Sequence, residues 1–340
     1  MSGSIIGRYT RRDFLTHAST IGVAGVLGVS HRDAAAEPPP EVSKIRIVRS
    51  PSICLAPSYL AEELLRLEGF SEIEYIAEVS ASGSKLLADG QADASMVPVQ
   101  ETIPDIDAGR PVVLLGGVHS GCYELFGNGR VSAIRDLKGK TVAISSMGAA
   151  DHVFIASILA YVGMNPGKDI NWVTTGSIPE TMRFFVEGKA DAFLAFPPQP
   201  QEMRAKKIGR LIVDTAVDRP WSQYFCCMVA ANRTFVQRYP VATKRAIRAI
   251  LKAADICAQD PERAAKYLVD KGYERRYGVA LEVLKGLPYD RWRQTDPEDT
   301  VRFHALRLDE VGLVKSDPNK LIAQGTDWRF LNELKRELKA

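Results

Sequence analysis

Apolar positions follow two alternating periods along residues 44–196 of this 340-residue chain. Short apolar runs at 45–48 and 112–118 have the length and composition of buried strands, whereas residues 59–67 carry their leucines at helical spacing. This alternation of strand and helix signals predicts an α/β protein with parallel sheets. Beyond Asn232 the period is helical, so we expect a helical C-terminal tail that packs back on the first half of the chain.

One helix-to-strand phrase occurs twice, as Gly-Gln-Ala-Asp-Ala at 90–94 and Gly-Lys-Ala-Asp-Ala at 188–192. Glycine supplies the left-handed residue that ends a helix, and aspartate bonds readily to backbone groups in a turn. The small alanines let the following strand pack closely beneath that helix. Two copies predict two related α/β lobes with a cleft between them, and two are too few for a solenoid.

The first 36 residues have the composition of an export signal. Arg11 and Arg12 are followed by Phe14 and Leu15, then by a short apolar stretch at 18–29 and three alanines at 34–36. Paired arginines of this kind resemble the twin-arginine signal. The apolar stretch is shorter than the ~20 residues of a membrane span. We therefore predict a signal peptide at 1–36, a linker at 37–43, export by the twin-arginine machinery and a periplasmic location.

Charge and cysteine content narrow the function. The formal net charge is +3, and four arginines against two aspartates in the signal region account for most of it. This excludes an electrostatic case for nucleic-acid binding. The five cysteines show no CxxC or Cys/His spacing, and adjacent Cys226 and Cys227 in a strand are expected to point to opposite faces. We predict buried thiols with no metal site and no cofactor, while one disulfide remains possible.

Ser- and Gly-rich loops enter several predicted helices at the carboxyl ends of the strands, where ligands of such sheets bind. Free backbone N–H groups at a helix start suit an anion. For any single serine or threonine a helix cap is the favoured interpretation, whereas the convergence of three such helix starts on one cleft favours a ligand role for the set. Phosphate-loop and dinucleotide-binding glycine patterns are absent from the sequence. The candidate ligand-binding residues are Ser52, Cys54, Ser82, Gly83, Ser84, Val97, Gln100, His119, Ser145, Ser146, Gly148, Ala149, His152, Thr175 and Phe196.

Three segments carry a family resemblance: Ala-Pro-Ser-Tyr-Leu-Ala-Glu-Glu at 56–63, Asp-Leu-Lys-Gly-Lys at 136–140 and the second glycine phrase. Together they resemble the nitrate/sulfonate/taurine-type substrate-binding proteins of ABC transporters, a group that includes NMT1/THI5-like proteins. The resemblance implies a class II periplasmic-binding fold. Lobe I would comprise 44–119 plus 222–340, and lobe II would comprise 120–221.

The resemblance also implies a function. We expect an extracytoplasmic, monomeric binding protein of an ABC importer rather than an enzyme. It would capture a small sulfonate, taurine, nitrate or carboxylate by lobe closure and deliver it to a membrane permease and its ATPase. Three alternatives stay open: a Cys54-dependent, desulfinase-like enzyme, a binding protein for a neutral heteroaromatic such as a thiamine pyrimidine precursor, and a sensor domain.

Overall fold

Strands and helices alternate through the first two thirds of the chain, as the apolar pattern predicts. The computed structural model describes residues 37–78 and 82–338. The predicted signal peptide therefore lies outside the described residues. The strands are β1 (Lys44–Arg49), β2 (Glu72–Ala77), β3 (Ala94–Pro98), β4 (Val112–Ser120), β5 (Glu124–Gly127), β6 (Thr141–Ile144), β7 (Asn171–Thr174), β8 (Ala192–Ala195), β9 (Arg210–Asp214) and β10 (Phe225–Asn232).

Most helices follow a strand or belong to the C-terminal third. In chain order they are α1 (Ala56–Leu67), α2 (Gly83–Ala88), α3 (Val99–Asp107), α4 (Ala150–Tyr161), α5 (Pro166–Asp169), α6 (Ile178–Val186), α7 (Gln199–Lys206), α8 (Arg233–Arg238), α9 (Pro240–Gln259), α10 (Pro261–Asp270), α11 (Tyr277–Gly286), α12 (Pro297–Glu310), α13 (Pro318–Gly325) and α14 (Arg329–Glu337). Short 3₁₀ turns occupy Ile53–Leu55, Ile134–Leu137, Trp221–Gln223 and Arg291–Arg293.

The strands form two arrays with the same order. In the first array β1 pairs in parallel with β2 and lies beside β3, while β10 lies between β3 and β4. In the second array the order is β7–β6–β8–β5–β9. We call β10 in the first array and β5 in the second array the inserted strands. With the other strands counted in chain order, each array has the spatial order second, first, third, inserted, last. This shared order agrees with the two related halves that the repeated phrase predicts.

The inserted strands correct one expectation. β10 pairs antiparallel with both β3 and β4, and β5 pairs antiparallel with both β8 and β9. The arrays are therefore mixed rather than parallel. β4 leads directly into β5 and β9 leads into β10, so each inserted strand arrives from the other array without a helical crossover. Such strands need not run parallel to their neighbours.

The repeated phrase has the same geometry in both copies. Gly90 and Gly188 have φ angles of +69° and +73°, which favour glycine. The Asp93 backbone N–H donates to the carbonyl of Arg46 (2.9 Å), and its carboxylate accepts from the Arg46 N–H (2.7 Å). Asp191 makes the same pair of bonds with Thr141, at 2.7 and 3.0 Å. Each aspartate therefore fastens the third strand of its array to the beginning of the first.

The C-terminal third is helical, as predicted, and packs on the first array. The continuous helical period at 233–259 is divided into α8 and α9 because Pro240 begins a new helix. Arg248 of α9 binds the carboxylate of Glu68 with both Nε (2.9 Å) and Nη2 (2.8 Å). The Tyr267 hydroxyl donates to the carbonyl of Tyr59 (3.1 Å).

Residues 39–340 cluster as one compact unit. Across 37–78 and 82–338, none of the helices has both the length and the apolar character that a membrane crossing would need.

We predict that Asp93→Ala and Asp191→Ala each lower the free energy of unfolding by about 1–3 kcal/mol, because each leaves a partly buried backbone N–H without its acceptor. Urea denaturation of the two variants measures this difference. Asp89→Ala is the matched control, since Asp89 makes only an exposed ion pair with Arg110. Equal stability of all three variants would contradict the structural role of the repeated aspartates.

Candidate functional site

The chain crosses between the two arrays twice, from β4 to β5 and from β9 to β10. The backbones of these two crossings contact each other. The Thr215 hydroxyl accepts from the backbone N–H groups of Cys122 (3.3 Å) and Tyr123 (3.0 Å) and donates to the Tyr123 carbonyl (2.8 Å). Gly121 has a φ of +67°, and a Cβ there would lie 2.4 Å from the Cα of Ala216. Glycine is therefore required, and the residues that follow β4 meet the residues that follow β9.

A group of soft side chains lies beside the crossings, and we call it the thiol cluster. Its members are Cys54, His119, Cys122, Cys226 and Cys227. The Sγ atoms of Cys122 and Cys226 are 2.9 Å apart, and those of Cys226 and Cys227 are 3.9 Å apart. All five cysteines of the chain are buried, as predicted, and all are free thiols. Four of them meet in one place, which their spacing along the chain did not indicate.

The expectation that Cys226 and Cys227 point to opposite faces is wrong. The pairing of β10 with β4 shifts register on both sides of Cys227. Such a bulge interrupts the strict alternation of side chains along a strand. Both thiols consequently reach the same cluster. The sequence prediction assumed that the strand is regular. The bulge at Cys227 makes that assumption invalid.

Aromatic rings from both arrays meet next to the cluster. Tyr123 contacts Phe154 (4.8 Å between ring centroids) and is edge-on to Phe196 (5.9 Å). Phe154 also lies 6.2 Å from the ring of His304 on α12. The Gln100 amide nitrogen is 3.3 Å from Nε2 of His304. The C-terminal tail therefore contributes a side chain to the same region as the carboxyl ends of the strands.

Several buried polar atoms on the elements that meet here have no hydrogen-bond partner among the described residues. They are Gln100 Oε1, Glu101 Oε1, His119 Nε2, Ser120 Oγ, Gln199 Oε1 and His304 Nδ1. Buried polar groups in folded proteins are nearly always satisfied, and exceptions call for an explanation such as a ligand or water. Their presence on α3, β4, α7 and α12 indicates a polar binding region between the arrays.

Burial disfavours the charged form of the acid in this region. Burial above all, and then the charges of Glu78 and Asp105, raise the pKa of Glu101 well above its usual range. Burial also lowers the pKa of His304 to about 3. Burial thus favours the protonated carboxyl of Glu101 and the neutral imidazole of His304, and the amide groups beside them can also recognise donors and acceptors.

A pocket of about 310 Å³ lies at the carboxyl ends of β1 and β2. It is bounded by the loop at 50–53, by Glu78 and by Tyr273 with Glu274 from the tail. Its volume is at the lower end of the range for small-molecule sites. Its charged lining groups are Arg49, Glu78 and Glu274, so acids outnumber bases.

Five of the predicted site residues lie in or next to this region. The Ser52 hydroxyl is 3.1 Å from Cys54 Sγ and donates to the Pro197 carbonyl (3.3 Å), which joins the first array to the second. Gln100, His119 and Phe196 are placed as described above.

Most of the predicted serines and threonines bond locally instead. Ser145 donates to the Asp151 carboxylate through both its backbone N–H (2.5 Å) and its hydroxyl (2.9 Å). Ser84 donates to Asp105 (2.6 Å), and Thr175 donates to the carbonyl of Ile144 (3.2 Å). The Asp151 carboxylate therefore already accepts from the backbone N–H of Ser145, at the start of the loop that follows β6.

The remaining predicted residues cap helices, make local packing contacts or lie exposed. Ser82 caps α2 by accepting from the Lys85 N–H (3.4 Å), while a Cβ on Gly83 would lie 3.0 Å from Val97 Cγ1. Gly148 donates to His152 Nδ1 (3.1 Å), and the His152 ring lies edge-on against Trp172. Ser146 is exposed and Ala149 precedes α4.

Sequence reasoning missed residues that lie in or beside the region, namely Glu101, Ser120, Cys122, Tyr123, Gln199, Cys226, Cys227 and His304. Glu101 and Ser120 directly follow predicted residues, so extending each candidate loop by one position would have included them. His304 gives no such signal, because it is one polar residue in a tail whose packing the sequence does not specify.

Comparison with curated proteins finds enzymes. The 4-amino-5-hydroxymethyl-2-methylpyrimidine phosphate synthase THI5 of Saccharomyces cerevisiae is 26% identical over 236 residues, which cover 62% of this chain and 68% of the yeast protein. The enzyme of the same name from Candida albicans is 24% identical over 272 residues, covering 71% and 78% of the two chains. The expectation that this chain is not an enzyme is contradicted by these relatives, which are named as synthases.

Comparison with solved structures finds binding proteins. The periplasmic nitrate-binding protein NrtA from Synechocystis PCC 6803 superposes with a TM-score of 0.70 at 16% identity, covering 89% of this chain and 90% of that one. The alkanesulfonate-binding protein SsuA from Xanthomonas axonopodis pv. citri gives a TM-score of 0.69 at 17% identity, covering 86% and 100%. The predicted periplasmic-binding fold is confirmed.

The NMT1-like family matches residues 72–269, which include the third strand of each array, both crossings and most of the thiol cluster. This segment is more than half of the chain, and the family resemblance noted from the sequence agrees with it. The chain belongs to the NMT1-like family.

Proposed function

We propose that this protein is the solute-binding component of an ABC import system and that its ligand is a planar nitrogen heterocycle of the aminopyrimidine class. The observation that carries the proposal is the set of buried polar atoms without partners between the two arrays. An amide oxygen, a carboxyl whose protonated form is favoured by burial and an imidazole whose neutral form is favoured by burial match the ring nitrogens and amino group of such a heterocycle.

The aromatic side chains support the same ligand class. Tyr123, Phe154 and Phe196 supply ring faces and edges next to the polar atoms. Aromatic pairs of this kind favour a flat apolar ring with polar edges. The curated relatives are named for a pyrimidine product, which gives independent support for this choice of ligand.

An anion has less support than the sequence suggested. The amide of Ser145 is occupied by Asp151, and the pocket at 50–53 contains more acids than bases. A sulfonate or nitrate would enter a region in which burial raises the pKa of Glu101 by disfavouring its charged form. The anion prediction therefore gives way to the heteroaromatic alternative in this proposal.

Lobe closure would bring the two sides of the site together around the solute. The ligand would favour the closed arrangement only through contacts that the open one lacks. In this structure the Ser52 hydroxyl already joins the two arrays through its bond to the Pro197 carbonyl. Export through a twin-arginine signal, a monomeric state and docking onto a permease with its ATPase remain parts of this proposal.

The ligand class is tested by titrating the full chain with 4-amino-5-hydroxymethyl-2-methylpyrimidine, taurine and nitrate in parallel. We expect the pyrimidine to raise the melting temperature and to bind by calorimetry, with much weaker effects of the two anions. Product analysis of the same mixture identifies any chemical change of the pyrimidine. Tighter binding of an anion would overturn the ligand class, and failure of the pyrimidine to bind would overturn the proposal as a whole.

We predict that Glu101→Gln keeps the pyrimidine affinity within about threefold, because burial favours the uncharged form of the carboxyl and the amide preserves its shape. Glu101→Ala should weaken binding by about tenfold or more, which corresponds to ~1.4 kcal/mol for a lost hydrogen bond. Calorimetry measures both changes. Asp309→Asn is the control, as Asp309 is an exposed carboxylate on α12. An equal loss in both Glu101 variants would show that the ionised form binds.

The same carboxyl predicts a pH effect on stability. Because the pKa of Glu101 is raised in the folded protein, its contribution is fully present below the unfolded pKa and is lost as pH rises through the folded pKa. Glu101→Gln should remove this loss. Urea denaturation at a series of pH values should show the variant gaining on the parent protein as pH rises above the ordinary carboxyl range. Parallel pH profiles would contradict the raised pKa.

A further inference from the structure

The thiol cluster joins segments that are distant in sequence. Cys54 lies in the 3₁₀ turn after β1, His119 near the end of β4, Cys122 in the first crossing, and Cys226 and Cys227 at the start of β10. The Sγ atoms of Cys54 and Cys227 and a ring nitrogen of His119 all lie within 4.8 Å of one another. The thiols of Cys122, Cys226 and Cys227 form a second such group, which shares Cys227.

The orientation of His119 leaves one ring nitrogen for a ligand. Its Nδ1 is 3.1 Å from the carbonyl of Gly121 and 3.4 Å from that of Ser120. Carbonyl oxygens only accept hydrogen bonds, so Nδ1 carries the proton and donates it. Nε2 is the ring nitrogen that remains, and this buried atom has no hydrogen-bond partner among the described residues. Metal-bound histidines are commonly fixed by this kind of bond from the opposite nitrogen.

Neighbouring groups hold the cluster in place. The Tyr289 hydroxyl donates to the carbonyl of Cys54 (2.9 Å), and its ring lies edge-on to the His119 ring at 5.1 Å. The Ser52 hydroxyl is 3.1 Å from Cys54 Sγ. These contacts come from the loop after β1 and from the C-terminal tail. The cluster is thus rigidly supported, as a metal site requires, and is not a chance meeting of flexible side chains.

We propose that Cys54, His119 and Cys227, with a fourth thiolate from Cys122 or Cys226, form a binding site for one thiophilic metal ion of the Zn²⁺ or Cu⁺ type. Thiolate and imidazole are the ligands that these ions prefer. Tetrahedral Zn²⁺ has bonds of about 2.3 Å to sulfur and about 2.0 Å to nitrogen. Ligand atoms around such an ion lie roughly 3.5–3.8 Å apart, so small side-chain rotations would close the group.

This site lies next to the proposed solute region and uses other groups. It ties the loop after β1 to both crossings and takes His119 Nε2 from the buried atoms without partners, whereas Gln100, Glu101 and His304 are assigned to the heterocycle. Solute binding and metal binding can therefore fail independently.

The test uses the full chain, reduced, treated with a chelator and kept anaerobic. Titration with Co²⁺, a spectroscopic substitute for Zn²⁺, should give sulfur-to-cobalt charge-transfer bands that saturate at about one equivalent and disappear on adding Zn²⁺. A parallel titration with Cu⁺ measures preference between the two ions. Because the bands require sulfur ligands, binding to His17 or His31 does not produce them.

Variants separate the site from general effects on folding. Cys54→Ser and Cys227→Ser should weaken Co²⁺ binding at least about tenfold, and the double variant should abolish the bands. Cys257→Ala is the matched control, because Cys257 is buried in α9 outside the cluster and its loss should leave the titration unchanged. Circular dichroism of each metal-free variant verifies that it is folded.

Two results would overturn the proposal. One is the absence of thiolate bands in the folded parent chain, or their persistence in the folded double variant. The other is a Cys122–Cys226 disulfide in chain isolated without reductant, seen as a mass lower by two hydrogens, together with no metal uptake after reduction. The 2.9 Å between these two sulfurs makes the second result a specific alternative.

Discussion

The structure depends on the close packing of its two crossings. Each array receives its inserted strand from the other half, so β4–β5 and β9–β10 must pass each other at the same place. The hydroxyl of Thr215 satisfies backbone groups of the opposite crossing, and Gly121 allows the two backbones to touch. Every group that the crossings bring together, including the thiols, the ring of Tyr123 and the imidazole of His119, owes its position to this contact.

Much of the fold could be predicted because local chemistry determined it. The Gly–x–Ala–Asp–Ala phrase needs a left-handed glycine and an aspartate that accepts from a backbone N–H, and both requirements hold in each copy. The predicted fold and helical tail are also confirmed. They could be predicted because periodicity and caps are properties of neighbouring residues. The antiparallel direction of β5 and β10 was missed because it results from a connection between distant halves.

The site was harder to predict than the fold. Serine at a helix start has two roles, and the sequence cannot distinguish a cap from a ligand contact. Ser82 and Ser145 are engaged locally, whereas Gln100 and His119 retain free buried atoms. The bulge that turns Cys226 and Cys227 to one side depends on pairing with β4 and has no local signature. The tail residue His304 enters the region only after the whole chain has folded.

The position of β10 also has a consequence for the order of folding. β5 to β9 occupy one continuous stretch of chain and complete their array without help from either end. The array that begins first in sequence cannot be completed until β10 is available to fill the gap between β3 and β4. During synthesis the later half can thus become native first, while the earlier strands wait with exposed edges. Such a long-range closure is slow compared with local pairing and leaves the unfinished first array open to aggregation or to capture by a chaperone.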